Sequence, residues 1–243
     1  MTMRTLTAPA VFLTADWRWL AMLNYEVDPG VLRGRLPAGT ELDTWNGRNF
    51  VSVVGFRFLQ TRVLGVAVPF HRDFDEVNLR FYVRRKGPEG WRRGVVFVRE
   101  FVPRAALAAV ARLAYGEPYK AVPMRHTVKP EKGHVRYEWR HEGQWSAIDA
   151  RFGVEAQLPS DGSLEAFLVE HHWGYTARSR GGSNEYGVEH PPWNLWLASS
   201  AALHCNVAAV YGTDFVAPLS GIPVVAFVAD GSPVTVRRGT RVL

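Results

Sequence analysis

The sequence predicts a mainly β fold with a few helices. Three observations predict it: strict apolar–polar alternation in several segments, an Asn46-Gly47 pair between apolar runs, and glycine and proline punctuation along most of the chain. Alternation with period two sets one face of a strand against a core, and Asn-Gly supplies the two positive-φ residues of a tight hairpin turn. At 243 residues the chain is expected to form a single domain over residues 1–243, a length that all-β domains reach.

Taken in order, Trp17–Val27 mixes aromatic and aliphatic residues as a strand does. Asp28-Pro29 has the form of a helix N-cap with proline in the first turn, so a short helix through Leu32 to Leu36 follows, stopped by Pro37 and Gly39. Leu42–Trp45 and Arg48–Phe58 are the arms of the Asn-Gly hairpin. The second arm is apolar on both faces, Phe50, Val54, Phe56 and Phe58 against Val51 and Val53, and is expected to be covered on both sides. In the next strand Glu76, Asn78, Arg80, Tyr82 and Arg84 share one face, and Val77, Leu79, Phe81 and Val83 the other; a loop at Lys86–Gly90 leads to its partner at Gly94–Val102. Pro103–Tyr115, rich in alanine with an apolar stripe, predicts a helix ended by Gly116 and Pro118. Val135–Arg140 and Ser146–Ala156 make a further hairpin about Gly143. Ser163 caps a short helix running to Glu170, Trp193–Val210 fits either strand or helix, and the polar stretch Arg178–His190 is expected to be a mobile loop.

Composition limits the functional classes. A lone cysteine, Cys205, makes no intrachain disulfide and suits a reducing, cytoplasmic setting, where it is expected to be a small buried apolar residue. No signal peptide and no membrane-spanning run is expected. The net charge of +6 is carried mostly by scattered arginines, with only four lysines, so no dense basic stripe for nucleic acid forms, while attraction to a small acidic ligand remains. Gly-x-Ser-x-Gly, phosphate-loop and dinucleotide-binding patterns are absent, and no histidine spacing suits a metal, so neither a cofactor nor a metal is expected.

Several segments resemble the YqjF-like family, which is grouped with acetoacetate decarboxylase. They are Leu42-Asp43-Thr44-Trp45-Asn46-Gly47, Val53-Val54-Gly55-Phe56, Phe74-Asp75-Glu76-Val77-Asn78-Leu79-Arg80-Phe81-Tyr82-Val83, Gly94-Val95-Val96-Phe97, Ala111-Arg112-Leu113-Ala114-Tyr115, Pro118-Tyr119, Leu164-Glu165-Ala166-Phe167-Leu168 and His190-Pro191-Pro192-Trp193. The resemblance implies a partly open, cone-like antiparallel β-barrel with a ligand-sized interior. It implies no reaction, since fold and function separate easily.

In acetoacetate decarboxylases a Schiff-base lysine stands in a Gly-aromatic-Pro-Lys-Lys segment after a helix. The similar segment here is Gly116-Glu117-Pro118-Tyr119-Lys120, with Tyr119 at the first lysine position and Lys120 at the second. A tyrosine forms no imine. Lys120, one residue along an extended segment, points to the opposite face unless the chain kinks. The resemblance also sets Glu76 at a pocket glutamate position. Facing the interior, Glu76 is a candidate acid or base and Arg80 a bidentate carboxylate anchor, with Asn78, Tyr115 and Tyr119 as lining residues. Facing solvent, the same row is the polar side of a half-buried sheet. Glu170 or His171 is a candidate for a position near a barrel mouth, and His190-Pro191-Pro192-Trp193 is expected to be a rigid turn with a buried indole. Three functions stay open: an enzyme acting on a small carboxylate or keto acid through Glu76, Arg80 and Lys120; a non-catalytic binder of a small acidic or apolar molecule; or a module with a filled barrel that assembles with itself, as open sheet edges invite.

Overall fold

The computed structural model describes residues 9–67, 71–103, 116–179 and 181–242. The alternating segments form long strands: β1 (Val11–Glu26), β3 (Phe50–Val63), β5 (Phe74–Gly87), β6 (Gly90–Val102) and β14 (Val225–Arg237). Between them lie the short β2 (Glu41–Leu42), β4 (Val66–Ala67), β7 (Tyr119–Ala121) and β8 (Met124–Lys129). The rest are β9 (His134–His141), β10 (Gln144–Phe152), β11 (Trp173–Ala177), β12 (Ser183–Glu189), β13 (Leu195–His204) and β15 (Thr240–Val242). The helix expected at Pro103–Tyr115, and with it Tyr115, falls on 104–115, outside the described residues.

Hydrogen bonding runs from β14 through β1, β3, β5, β6, β11 and β12, and returns to β14 at Val188↔Val236 and Glu189↔Thr235. These strands form a ring. Its last contact is two residue pairs wide, so the ring is drawn together there rather than evenly sealed. From β14 the sheet continues outward through β13, β10, β9 and β8, which fold over the outer face of the ring. Pairing is antiparallel except at β6–β11 and β6–β7, where the sequence predicts antiparallel neighbours only. A parallel pair needs a crossover of a dozen or so residues, and the chain between β6 and β7 supplies one.

Two buried clusters follow from the pleat. Phe50, Val54, Phe56, Phe58, Phe74 and Tyr82 point into the ring. Val51, Val53, Val77, Leu79, Phe81 and Val83 point outward and pack under Val135, Tyr137, Trp139 and Ile148 of the covering strands. Both faces of β3 and β5 are thus buried, as expected for β3. Gly55 permits the closest approach between the layers, since a Cβ there would lie 2.7 Å from the Tyr137 ring. The Tyr137 hydroxyl donates to Trp19 O at 2.8 Å, beside the bulge where β1 shifts register against β3.

The local signals are realised with three changes. Asp28 caps α1 (Pro29–Arg33) by accepting from Gly30 N, so the helix begins at the proline and ends three residues before Leu36. Asn46 and Gly47 turn with positive φ between Trp45 and Arg48, but the first arm does not stay with β3: β2 pairs with β5 instead. Arg178–His190, expected as a mobile loop, contains β12, which helps close the ring. Its polar Glu185 is buried against Arg85, Arg92 and the Tyr175 hydroxyl, so the hydrophilic look of the segment records internal ion pairs. The stretch 193–210 is both things in turn, β13 and then the start of α3 (Val207–Tyr211), which precedes α4 (Val216–Leu219). Ser163 caps α2 (Leu164–Val169), whose Leu164, Phe167, Leu168 and Val169 join the inner cluster.

Candidate functional site

The pleat of β5 decides which face carries chemistry. Glu76 pairs with Phe56, Asn78 with Val54 and Arg80 with Ser52, so all three side chains project into the ring, where they line a cavity of about 200 Å³. One end of the cavity is aromatic. Trp17 meets Phe56 and Phe58 edge-on, and Phe58 stacks on Phe74 at 4.6 Å between ring centroids.

Beyond that wall lies an acidic group. Asn78 Nδ2 donates to Glu76 Oε1 at 2.9 Å, and the Tyr119 hydroxyl donates to Glu76 Oε2 at 2.9 Å. Glu100 of β6 sits opposite Asn78, and Glu117 accepts from the Tyr186 hydroxyl at 2.6 Å. All three carboxyls are buried. Desolvation raises each of them, Glu76 to about 7 and Glu117 to about 8, and Glu100 is pushed further by its two acidic neighbours. The Arg80 charge and the hydrogen bonds from Asn78 and Tyr119 hold Glu76 back toward ionisation. A buried carboxyl that changes charge near neutrality can both give and take a proton.

Farther along β5, Arg80 Nη2 donates to Leu168 O at 3.2 Å, and its guanidinium lies beside the Tyr82 ring. His171 also packs on Tyr82 and lines the cavity. His171 Nε2 meets Asp43 Oδ2 at 3.0 Å, and Arg93 Nε donates to the same oxygen at 2.7 Å. Burial drives the imidazole down to about 4, so it is neutral at physiological pH. Six buried polar atoms on cavity residues have no hydrogen-bond partner among the described residues: Trp17 Nε1, Asn78 Oδ1, Arg80 Nε, Glu100 Oε2, Glu117 Oε2 and His171 Nδ1. Buried polar groups are mostly paired in folded proteins, so unpaired atoms on these residues set the cavity lining apart from a purely apolar core.

The structure brings Glu76, Asn78, Arg80 and Tyr119 together in one cavity. Lys120 is elsewhere. In the β6–β7 register Tyr119 stands beside inward-facing Glu100, while Lys120 stands beside Phe101 of the outer cluster, where it adds to the burial that lowers the His141 pKa. Among the described residues no lysine lines the cavity. Trp193 is buried, as expected of the His-Pro-Pro-Trp segment, and donates from Nε1 to Ser232 Oγ, though residues 190–193 are extended chain without an assigned turn. Cys205 is half-buried, and desolvation lifts its thiol to about 11.

Glu100, Glu117, Asp43 and Tyr186 are the residues that sequence reasoning missed. Glu100 is hidden by a bulge: β6 pairs Phe97 with Arg80 but Glu100 with Asn78, so residues three apart share the inner face. Strict alternation assigns them to opposite faces. No helix among the described residues is long and apolar enough to cross a membrane, and they contain no cluster of metal-ligating side chains.

Comparison with known proteins agrees with this architecture. A family model described as an uncharacterized conserved protein, DUF2071, matches residues 14–233. The uncharacterized protein YqjF of Bacillus subtilis is 29% identical over 203 residues, covering 81% of this chain and 80% of its own. Acetoacetate decarboxylase from Legionella pneumophila superimposes with a TM-score of 0.68 at 18% identity, covering 98% of this chain and 89% of its own. The enduracididine biosynthesis enzyme MppR, complexed with pyruvate, gives a TM-score of 0.68 at 15% identity, covering 98% and 93%. At these identities the likeness establishes an acetoacetate-decarboxylase-like fold.

Proposed function

The chain belongs to the DUF2071 family, and on that premise we propose that the ring binds a small carboxylic acid, such as a keto acid with an apolar tail, and that Glu76 exchanges a proton with it. One observation carries this reading: a single strand face presents a near-neutral carboxyl at Glu76 and a guanidinium at Arg80 to the same cavity, next to an aromatic wall. The guanidinium fork suits a carboxylate, and the aromatic end suits an aliphatic or aromatic tail. A ligand carbonyl or acidic C–H near Glu76 would meet a group able to take or return a proton. MppR, the neighbour with pyruvate, supports a ligand of this size and charge. Imine chemistry gains no support, because Lys120 is not among the cavity residues. Binding without turnover rests on the same cavity, and proton exchange at Glu76 divides the two readings.

Calorimetric titration with 4-methyl-2-oxopentanoate tests the proposal. The native chain is expected to bind it, and Arg80→Gln to weaken binding by about tenfold or more, since a charge-assisted pair is lost. Equal affinity in the native chain and the variant would remove Arg80 as the anchor.

A further inference from the structure

Two residues that line the cavity, Arg80 and His171, each keep one buried nitrogen without a hydrogen-bond partner in the described chain. Asp43, kept ionised by Arg93 and His171, can only accept a hydrogen bond, so the Nε2 of neutral His171 carries the proton. Its other ring nitrogen, Nδ1, is then a fixed acceptor. That atom is buried and has no partner, although the residue lines the cavity. The Tyr82 and Phe167 rings flank the imidazole, with centroids at 4.7 and 5.1 Å, and hold it in place. Arg80, whose guanidinium lies by the same Tyr82 ring, has its Nε unused.

Resting on the carboxylate-binding reading above, we infer that His171 Nδ1 accepts a hydrogen bond from a ligand hydroxyl placed next to the carboxylate, so that the site selects 2-hydroxycarboxylates over their 2-oxo counterparts. A 2-hydroxy acid presents an acceptor to Arg80 and a donor to His171 from adjacent atoms. A 2-oxo acid presents acceptors to both, and its carbonyl lone pair faces that of Nδ1. A polar group built to pair with a hydroxyl discriminates strongly against a ligand that lacks one, because it is otherwise left buried and unpaired. Asp43 acts through the imidazole as a positioning residue, setting which nitrogen holds the proton.

The test is paired calorimetry on the full chain with 2-hydroxy-4-methylpentanoate and 4-methyl-2-oxopentanoate. The hydroxy acid is expected to bind about tenfold or more tightly. His171→Phe should abolish that preference, so that the two acids bind the variant with equal affinity. Asp43→Asn keeps the imidazole but frees its tautomer, and should shrink the ratio of the two affinities without abolishing it. Equal affinities in the native chain, or a preference unmoved by His171→Phe, overturn the inference and leave the carboxylate site standing. Failure of both acids to bind the native chain overturns the carboxylate reading and the inference with it.

Discussion

At the scale of single residues, the cavity is a set of carboxyls held away from their ordinary ionisation. Glu76 keeps its proton in the folded chain up to about pH 7, whereas an unperturbed glutamate loses it near 4.5. Folding therefore takes up a proton between those values. The stability this group contributes is full below the unfolded value and is lost as pH rises through the folded one. Glu76→Gln has no proton to lose. Thermal melts from about pH 5 to about pH 8 are expected to fall less steeply for the variant, which should gain on the order of 1–3 kcal/mol over the native chain at the alkaline end. A slope identical to the native chain's would contradict the burial argument for Glu76. The row Glu76, Asn78, Arg80 was legible in the sequence as one face of a strand, but not the direction it faced. Period-two alternation is symmetric, and only the apolar cover on both sides of β5 decides the matter. Glu100 was illegible because a bulge breaks the alternation, and Glu117 because it lies in an irregular segment with no period at all.

At the scale of elements, β12 is the informative strand. Its sequence carries the polarity of a loop, yet it pairs with β11, β14 and β15. Two half-buried guanidiniums hold it, since buried Glu185 takes Arg85 and Arg92 together with the Tyr175 hydroxyl. Removing Glu185 leaves Arg85 and the Tyr175 hydroxyl without this partner, while Arg92 keeps Glu89. Glu185→Ala is expected to cost about 1–3 kcal/mol in denaturant unfolding, since solvent and Glu89 relieve part of the loss, and the isosteric Glu185→Gln less, because some of the hydrogen bonds survive. A cost below about 1 kcal/mol for the alanine variant would mean that solvent screens this network as it does surface pairs. Elements announced by local chemistry were read correctly: the Asp28 and Ser163 caps, the Asn46-Gly47 turn and the hairpin about Gly143. Elements fixed by distant partners were not. β2 pairs with β5, and the adjacent Asp43 meets Arg93 and His171, partners that nothing near Asp43 in the chain discloses.

At the scale of the whole molecule, the ring and its cover divide the labour. The covering strands seal the outer faces of β1, β3 and β5 with apolar contacts, so those strands need no polar side toward solvent. Their inner faces are then free to combine aromatic packing with a polar row that would be costly without a ligand or internal partners. The mainly β architecture and its likeness to acetoacetate decarboxylase were legible from strand patterns and from the order of short motifs along the chain. Ring closure was not, because β6–β11 and β12–β14 join segments far apart in sequence.

The central claim is that the ring interior is a carboxylate site anchored on Arg80. Diffraction from crystals grown with 4-methyl-2-oxopentanoate tests it most directly. The expected result is density inside the ring, with the carboxylate on the Arg80 guanidinium and the tail against Phe56, Phe58 and Phe74. A ring interior closed by side chains, or a ligand bound only outside it, would contradict the claim.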